Sequence, residues 1–250
     1  MNNYNPYTLE GKTILITGAT SGIGKATAIE CTKLGAKVII TGRNEKRLKE
    51  TNQELEGSNH ISIAADITIE EELVNLVDNI PEIDGLVNVA GIVKTLPFQF
   101  INRTDLSNIF STNFFSPVLL TQKIIKKKKL NKEGSIVFIS SIDGPVTAHI
   151  GNSMYSASKG AISAISKNMA VDLAVKKIRV NSICPGMTET PLIHSDGITQ
   201  EQLIEDMRLY PLKRYGEPKE IAWAVIYYLS DASKWTTGSQ LIIDGGFTLL

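Results

Sequence analysis

Three scarcities limit what this 250-residue chain can be: it has few cysteines, no net charge and no long apolar run. Cys31 and Cys184 are its only cysteines, and two distant thiols provide neither a disulfide framework nor a zinc site. The 26 basic and 26 acidic side chains cancel, so nothing indicates a broad attraction to nucleic acid or to anionic lipid. We therefore expect a protein of a reducing compartment, without a metal or a nucleic-acid partner.

No segment is typical of a membrane span or a secretion signal. A spanning helix needs ~20 apolar residues, and the most apolar helical stretch, IAWAVIYYL at 221–229, is shorter. The N-terminus, MNNYNPYTLEGK, lacks the basic start and apolar centre of a signal peptide. The basic run KIIKKKKLNK at 123–132 ends a predicted helix, where lysines complement the helix dipole, so it indicates a solvated face. The sequence thus predicts a cytoplasmic protein with no membrane partner.

Short apolar runs alternate with helical patterns along almost the whole chain. Because strands covered on both faces are nearly continuous apolar runs, we predict strands at 12–17, 36–41, 61–65, 84–90, 134–140, 178–183 and 240–244. The predicted helices lie near 22–34, 44–56, 69–79, 102–129, 152–175 and 217–230. Repeated βα units predict a Rossmann-like, doubly wound α/β fold with a seven-stranded, mostly parallel sheet and helices on both faces.

The domain organisation follows from the same pattern. No linker rich in proline or glycine divides the chain and no internal repeat is visible, so we predict a single domain over 1–250. One segment, 186–212, interrupts the βα rhythm. It contains the short helical pattern GITQEQLIEDMRLYPL and is interpreted as a substrate-loop insertion that forms a lid.

A glycine-rich turn follows the first predicted strand. The sequence TGATSGIGKATA places Gly18, Gly22 and Gly24 between this strand and the first helix. Gly18 permits a tight turn, Gly22 lets backbone amides approach a pyrophosphate, and Gly24 allows close helix–strand packing. The start of the helix directs free N–H groups at phosphates. A glycine-rich turn of no special use is the alternative, but the position at the first βα junction favours dinucleotide binding.

Tyr155 and Lys159, in the run SMYSASKGA, share one face of a predicted helix. A lysine beside a phenol favours the phenolate and lowers a pKa that starts near ~10. Tyr155 then becomes a proton donor and acceptor near neutral pH. By itself this spacing more often belongs to a packed tyrosine and a lysine that reaches water, so its interpretation depends on the rest of the chain.

Further motifs occur in an order that resembles the short-chain dehydrogenase/reductase family, and within it 3-oxoacyl-(acyl carrier protein) reductases. The glycine turn has the spacing Gly-x-x-x-Gly-x-Gly. It is followed by Asp66, NVAG at 88–91, Asn113, SS at 140–141, YSASK at 155–159, CPG at 184–186 with Thr190, and DGG at 244–246. The resemblance covers nearly the whole chain. It implies an oxidoreductase that transfers a hydride between a nicotinamide cofactor and a carbonyl or secondary alcohol.

The resemblance implies four catalytic residues. Ser141 would hydrogen-bond the substrate oxygen, Tyr155 would exchange a proton with it, Lys159 would hold the nicotinamide ribose, and Asn113 would fix a water in a proton relay. Ser140 is the alternative serine, although the match to the family favours the second one. Asn113 alone is also a poor helix former that can mark a kink.

The resemblance also implies the cofactor site. Its residues are Gly18, Thr20, Ser21, Gly22, Ile23, Gly24, Arg43, Asp66, Ile67, Asn88, Ala90, Gly91, Tyr155, Lys159, Pro185, Gly186, Thr188 and Thr190. Val89 replaces an asparagine that many family members carry. Gly42 stands where an acid would bind the ribose of NAD, and Arg43 follows with a guanidinium suited to phosphate. NADP(H) is therefore predicted over NAD(H), with a solvated Arg43 as the alternative, and Lys46 and Arg47 either assist or face water.

The substrate is much less constrained than the cofactor. A mixed, mostly apolar pocket is expected from Val93, Ile142, Asp143, His149, Ile150, Met187 and 190–212, which suits 3-oxoacyl thioesters, small ketones, polyols or steroids. His149 either touches the substrate or lies exposed in a loop. The apolar segments PKEIAWAVIYYLS and DGGFTLL predict a subunit interface, and the resemblance implies a homotetramer. The main rival is a regulatory protein that senses the cofactor without turnover; a dehydratase or epimerase is a second.

Overall fold

The computed structural model describes residues 4–194 and 199–250. Within these residues seven strands form one parallel sheet: β1 (Thr13–Thr17), β2 (Lys37–Gly42), β3 (Ile61–Ala64), β4 (Ile83–Asn88), β5 (Leu130–Ile139), β6 (Arg179–Pro185) and β7 (Gln240–Ile243). Their order across the sheet is β3-β2-β1-β4-β5-β6-β7. The predicted Rossmann-like fold is confirmed.

Helices connect the strands, as predicted, and the chain passes over both faces of the sheet. The α-helices among the described residues are α1 (Gly22–Lys33), α2 (Glu45–Gln53), α3 (Glu70–Asn79), α4 (Arg103–Phe110), α5 (Ser116–Lys126), α6 (Ser153–Leu173), α7 (Gln200–Met207) and α8 (Pro218–Leu229). Alternate strand residues face opposite sides. Ile14 and Ile16 of β1 belong to the core under α1 and α8, whereas Leu15 between them belongs to the core under α3, α5 and α6.

The predicted helix over 102–129 contains an irregularity. A π-helical turn, Ser111–Phe115, joins α4 to α5, and the hydroxyl of Ser116 donates to the carbonyl of Ser111 at 2.6 Å. Asn113 lies within this turn and is buried. Asn113 therefore lies in an irregular turn of the type at which helices can kink, and the kink itself stays a prediction.

The region of the predicted 186–212 insertion contains a 3₁₀ turn at Pro191–His194 and the short helix α7. Residues 195–198 of that prediction lie outside the described residues. Helix α7 packs through Leu203 against Tyr210 and Tyr215 in a small apolar cluster of its own. This cluster places α7 beside the carboxyl ends of β6 and β7. No helix of the described residues is long and apolar enough to cross a membrane.

Candidate active site

The strand order reverses direction between β1 and β4, and a cleft opens at their carboxyl ends. Parallel α/β sheets bind ligands at such a switch point, because the loops that follow the two strands diverge there. The hydroxyl of Thr17, the last residue of β1, accepts hydrogen bonds from the backbone N–H groups of Val89 (3.0 Å) and Ala90 (3.3 Å). This pair of bonds fixes the loop after β4 against the glycine turn after β1.

The glycine turn shapes the floor of this cleft. Gly18 has φ +66°, and a Cβ atom there would lie 2.9 Å from the backbone of Ala90. A Cβ on Gly24 would lie 2.3 Å from the carbonyl oxygen of Gly18, so α1 can approach the turn this closely only with glycine at that position. Ser21 precedes α1 without a side-chain capping bond. The first N–H groups of α1 thus remain available to an anion.

The cleft has a volume of about 360 Å³. Twelve of the predicted cofactor residues line it: Gly18, Thr20, Ser21, Gly22, Ile23, Gly24, Arg43, Asp66, Ile67, Ala90, Gly91 and Thr190. Thr41, Ala65, Thr68 and Thr112 also line it and were not predicted, because they carry no motif and come together only through the fold. A glycine cradle, an uncapped helix start and two arginines on one rim fit a phosphorylated dinucleotide.

Arg43 and Arg47 are the two cations among the described lining residues. The Arg43 side chain is 67% exposed, and its Nη1 lies 3.8 Å from Oδ2 of Asp66. Burial acts to raise the pKa of Asp66, but hydrogen bonds from Thr68 and the charge of Arg43 outweigh it and lower that pKa. A Cβ on Gly42 would lie 2.8 Å from Cγ2 of Thr20. The position at which relatives that prefer NAD would carry an acid is therefore also tightly packed.

A second cleft, of about 490 Å³, adjoins the first and shares Ile23, Gly91 and Thr190 with it. Ser141, Tyr155 and Lys159 line this second cleft. So do Pro185, Gly186 and Thr188, together with all six residues predicted individually for the substrate wall: Val93, Ile142, Asp143, His149, Ile150 and Met187. Thr95, Asn152 and Tyr215 also line it and were not predicted.

The two neighbouring serines have different surroundings. The hydroxyl of Ser140 donates to the carbonyl of Lys159 at 2.9 Å and lies 2.8 Å from the hydroxyl of Ser163, so it joins β5 to α6. The hydroxyl of Ser141 accepts a hydrogen bond from the N–H of Asp143 at 3.1 Å and retains its own proton to donate. This difference favours Ser141 as the serine that binds a substrate oxygen.

The expected lowering of the Tyr155 pKa by Lys159 is wrong for this arrangement. Burial raises the pKa of Tyr155 to about 12, and a hydrogen bond with Ser141 opposes the shift. Burial also lowers the pKa of Lys159 to about 8. The reason is geometric: Nζ of Lys159 donates to the carbonyl of Ile139 at 2.8 Å and lies 5.7 Å from the centre of the Tyr155 ring. The neutral phenol is thus the favoured form of Tyr155.

Two predicted site residues line neither cleft. The side-chain oxygen of Asn113 accepts from the N–H of Ile92 at 2.8 Å, and its nitrogen donates to the carbonyl of Ile92 and to Ser158. The side chain of Asn88 is buried and donates to Thr121 at 3.3 Å, while its oxygen has no partner among the described residues. Both asparagines hold the loop after β4 in place from behind.

His149 is an exposed loop histidine with fixed contacts. Its Nδ1 is in contact with Oδ1 of Asp143, and its ring stacks on Phe247 with 5.4 Å between ring centres. The hydrogen bond that Nδ1 of His149 donates to the Asp143 carboxylate raises the pKa of His149 against the effect of burial, and the charges of Asp143 and Asp206 add to the rise. The alternative of an exposed loop histidine is thus confirmed, since 39% of the side chain is exposed, and these contacts fix the ring within that loop.

Known proteins share both the sequence pattern and this architecture. A family model described as enoyl-(acyl carrier protein) reductase matches residues 18–248. A 3-oxoacyl-[acyl-carrier-protein] reductase of Rickettsia bellii is 37% identical over 243 residues, which is 97% of this chain and 99% of the relative. Among solved structures, a short-chain dehydrogenase/reductase family protein has a TM-score of 0.86 at 32% identity, covering 97% of this chain and 99% of that one. A putative gluconate dehydrogenase from Agrobacterium tumefaciens has a TM-score of 0.90 at 27% identity, covering 99% and 100%.

Proposed function

Because the chain belongs to the short-chain dehydrogenase/reductase family, we propose that it is an NADP(H)-preferring reductase of ketones, with 3-oxoacyl thioesters as the first candidate substrates. It is an NAD(P)-dependent oxidoreductase that interconverts C=O and CH–OH groups; the preference for NADP(H) and the substrate class are the proposal. The observation that carries it is the shared wall of the two clefts, which brings Ser141, Tyr155 and Lys159 beside the glycine turn.

Ser141 and Tyr155 have distinct tasks in the proposed reaction. A bound nicotinamide cofactor supplies the hydride. Ser141 donates a hydrogen bond to the substrate oxygen, and Tyr155, neutral because burial raises its pKa to about 12, donates the proton that this oxygen gains. In this proposal both donors stabilise the negative charge that develops on the oxygen during reduction, the type of interaction that lowers the barrier most.

Lys159 and Asn113 act on the reaction less directly. Lys159 presents a buried ammonium beside Gly91, where a Cβ atom would lie only 3.4 Å from Nζ. A cation at this depth favours negative charge on nearby oxygens and is placed to bind ribose hydroxyls. Asn113 holds the backbone of Ile92 through two hydrogen bonds, and the water relay implied by the family stays part of the proposal.

The NADP(H) preference is supported by the rim of the first cleft. Arg43 and Arg47 both line it, and guanidinium groups bind phosphate through two parallel hydrogen bonds. The other predicted cofactor contacts, Ile67, Asn88, Pro185, Gly186 and Thr188 among them, belong to the same proposal. The Rickettsia bellii relative favours a 3-oxoacyl substrate.

A sugar or polyol is the second candidate substrate class, because one neighbour in structure is a putative gluconate dehydrogenase. A panel of ketones and alcohols, assayed with NADPH and with NADH at the nicotinamide absorbance, tests both candidates. Turnover of a 3-oxoacyl thioester with NADPH is the expected result. Cofactor binding without turnover of any compound would instead support a regulatory protein, and a clear NADH preference would overturn the cofactor assignment.

Assembly and location complete the proposal: one domain over 1–250 with a substrate insertion at about 186–212, in a cytoplasmic homotetramer. Most apolar residues of α8 face the core of the subunit, so only its outer side is left for the predicted subunit interface. Trp223 (51% exposed), Ile242 (41%) and the C-terminal leucines remain outside, and β7 is an edge strand. The buried, unpaired thiols support a reducing compartment. A single-subunit mass at micromolar concentration would contradict the tetramer.

A further inference from the structure

The loop that leads into α6 carries an imidazole in a fixed position. Asp143 is buried, with Oδ1 in contact with Nδ1 of His149 and Oδ2 accepting from Asn152 at 2.9 Å. Gly144, at φ +101°, packs so closely on α6 that a Cβ would lie 2.1 Å from the carbonyl oxygen of Ser156. The loop is therefore closely packed on α6.

Aromatic contacts set the plane of the His149 ring. One face stacks on Phe247, whose ring centre is also 4.8 Å from that of Tyr210. The hydroxyl of Tyr210 accepts from the N–H of Met187 at 3.1 Å, so the stack is tied to the backbone that follows β6. With Nδ1 occupied by Asp143 and one ring face covered, the remaining polar atom of His149 is Nε2. No protein partner for Nε2 is found among residues 4–194 and 199–250.

Asp143 joins this imidazole to the reacting centre. Its backbone N–H donates to the hydroxyl of Ser141 at 3.1 Å, while its carboxylate holds His149. Ser141, Tyr155 and His149 all line the second cleft. One residue thus fixes two hydrogen-bonding groups of the same cleft relative to each other, and their separation is set by the fold.

The charges around His149 favour its imidazolium form. Asp143 from its own loop and Asp206 from α7 raise its pKa, whereas burial lowers it. Lys159 of α6 is the cation that lines the same cleft, and Tyr155, Tyr210 and Tyr215 contribute phenols whose pKa values are raised. As an imidazolium, His149 carries a proton on Nε2 as well as on Nδ1.

We propose that His149 determines substrate specificity by donating a hydrogen bond from Nε2 to a second oxygen of the substrate, a few bonds from the reacting carbonyl. This inference rests on the proposed ketone reduction, and it narrows the substrate class to oxygenated ketones such as oxo esters or oxo thioesters. The apolar neighbours Val93, Ile142 and Ile193 in the cleft take the rest of the carbon chain.

Matched pairs of ketones test this proposal. Each oxo ester is compared with the plain ketone of equal chain length: ethyl 2-oxobutanoate with 3-heptanone, ethyl 3-oxobutanoate with 2-heptanone, and ethyl 4-oxopentanoate with 2-octanone. The preference is the ratio of the two kcat/KM values within a pair. We expect His149→Phe, which keeps an aromatic ring against Phe247, to lower the preference at least about tenfold in one pair, because a charged hydrogen bond is lost. An unchanged ratio in all three pairs would overturn the proposal.

Two further variants separate recognition from a structural role. Val146→Ala alters an exposed side chain of the same loop that lies outside the cleft, and it is expected to leave the ratio as in the wild type. His149→Gln retains a donor that does not titrate. The wild-type preference should fall as pH rises through the raised pKa of His149, whereas that of His149→Gln should stay flat; parallel profiles would overturn the assignment.

The same assays distinguish this inference from the proposed function itself. If Tyr155 is required for reduction of the plain ketones but the His149 variants leave the ratio of kcat/KM values unchanged, only the inference about His149 is wrong. If no ketone or oxo ester is reduced, the proposed function fails as well.

Discussion

The Nζ atom of Lys159 donates to the carbonyl of Ile139 at 2.8 Å, whereas the Tyr155 ring centre lies 5.7 Å away from it. The two side chains therefore share a helix face without forming a direct ion pair or hydrogen bond. Burial disfavours the charged form of both groups. It therefore raises the pKa of the Tyr155 phenol and lowers the pKa of the Lys159 ammonium. Before any reaction, Tyr155 is thus a neutral phenol, and the nearby Lys159 is an ammonium group with a lowered pKa.

Removal of the phenolic hydroxyl tests its role as the proton donor. We expect Tyr155→Phe to lower kcat by about 10²–10⁴-fold, the usual contribution of general acid catalysis, while the Kd of the cofactor stays nearly unchanged. Steady-state kinetics and a cofactor titration provide the two measurements. Tyr7→Phe removes a hydroxyl from an exposed tyrosine that lines neither cleft and serves as the control. Wild-type kcat in Tyr155→Phe would refute the assignment.

The buried ammonium of Lys159 predicts how stability depends on pH without cofactor. Its folded pKa, about 8, lies below the ordinary lysine value of 10.5, so the unfolded chain binds more protons between these two pH values. Below pH 8 the buried charge of Lys159 lowers the free energy of unfolding by its full amount. This loss of stability disappears as the pH rises towards 10.5. We expect this group to raise the free energy of unfolding by about 2 kcal/mol between pH 8 and 10.

Urea unfolding of the wild type and of Lys159→Met at several pH values checks this expectation. The difference between the two proteins isolates the lysine, because all other groups titrate in both. The window stops at pH 10 since Tyr155, with a folded pKa of about 12, begins to oppose folding above it. A difference that does not vary with pH would contradict the buried ammonium.

Arg43 is expected to set the preference between the two nicotinamide cofactors. Arg43→Ala should lower the ratio of kcat/KM for NADPH to that for NADH at least about tenfold, because a charged hydrogen bond to phosphate contributes about 1.5–3 kcal/mol. Lys46→Ala is the matched control, since Lys46 is an exposed cation in α2 that does not line the cleft. Equal ratios in the two variants would place the phosphate elsewhere.

The variant Gly24→Ala tests the structure of the glycine turn without depending on the catalysed reaction. A methyl group there would lie 2.3 Å from the carbonyl oxygen of Gly18. The backbone would have to move to relieve this overlap, which costs free energy. Gly24→Ala should lower the free energy of unfolding by about 3 kcal/mol and abolish cofactor binding. Gly216→Ala, whose new methyl would have no neighbour nearer than 3.8 Å, should be close to neutral. If the two variants unfold at the same denaturant concentration, the close approach of α1 to the turn is wrong.

The sequence was most informative where local composition decides structure. Strands such as β1 are nearly continuous apolar runs, because both of their faces are covered, and all seven were predicted within a few residues. Strand β5 begins at Leu130 rather than at 134, since the residues before its apolar part are polar and the pairing with β4 shifts register there. The π turn at Ser111–Phe115 was indicated in the sequence only by Asn113, a poor helix former within a predicted helix.

The site was predictable in its motifs but not in its electrostatics. The spacing of Tyr155 and Lys159 shows that they share a face, yet it contains no information on how deeply each is buried, and burial decides both pKa directions. The contact of His149 with Phe247 joins residues 98 positions apart. No local pattern relates such positions, so the fixed imidazole could be found only from the fold.

Because Gly144 packs closely on α6, the two sides of the second cleft differ in how firmly they are packed. One side is anchored to the longest helix among the described residues, whereas another side rests on the smaller apolar cluster around Leu203, Tyr210 and Tyr215. Enlarging the accepted range of ketones should therefore succeed through changes near that small cluster. Substitutions of Gly144 itself should mostly lower the yield of folded protein, and a library divided between the two sides would measure this asymmetry.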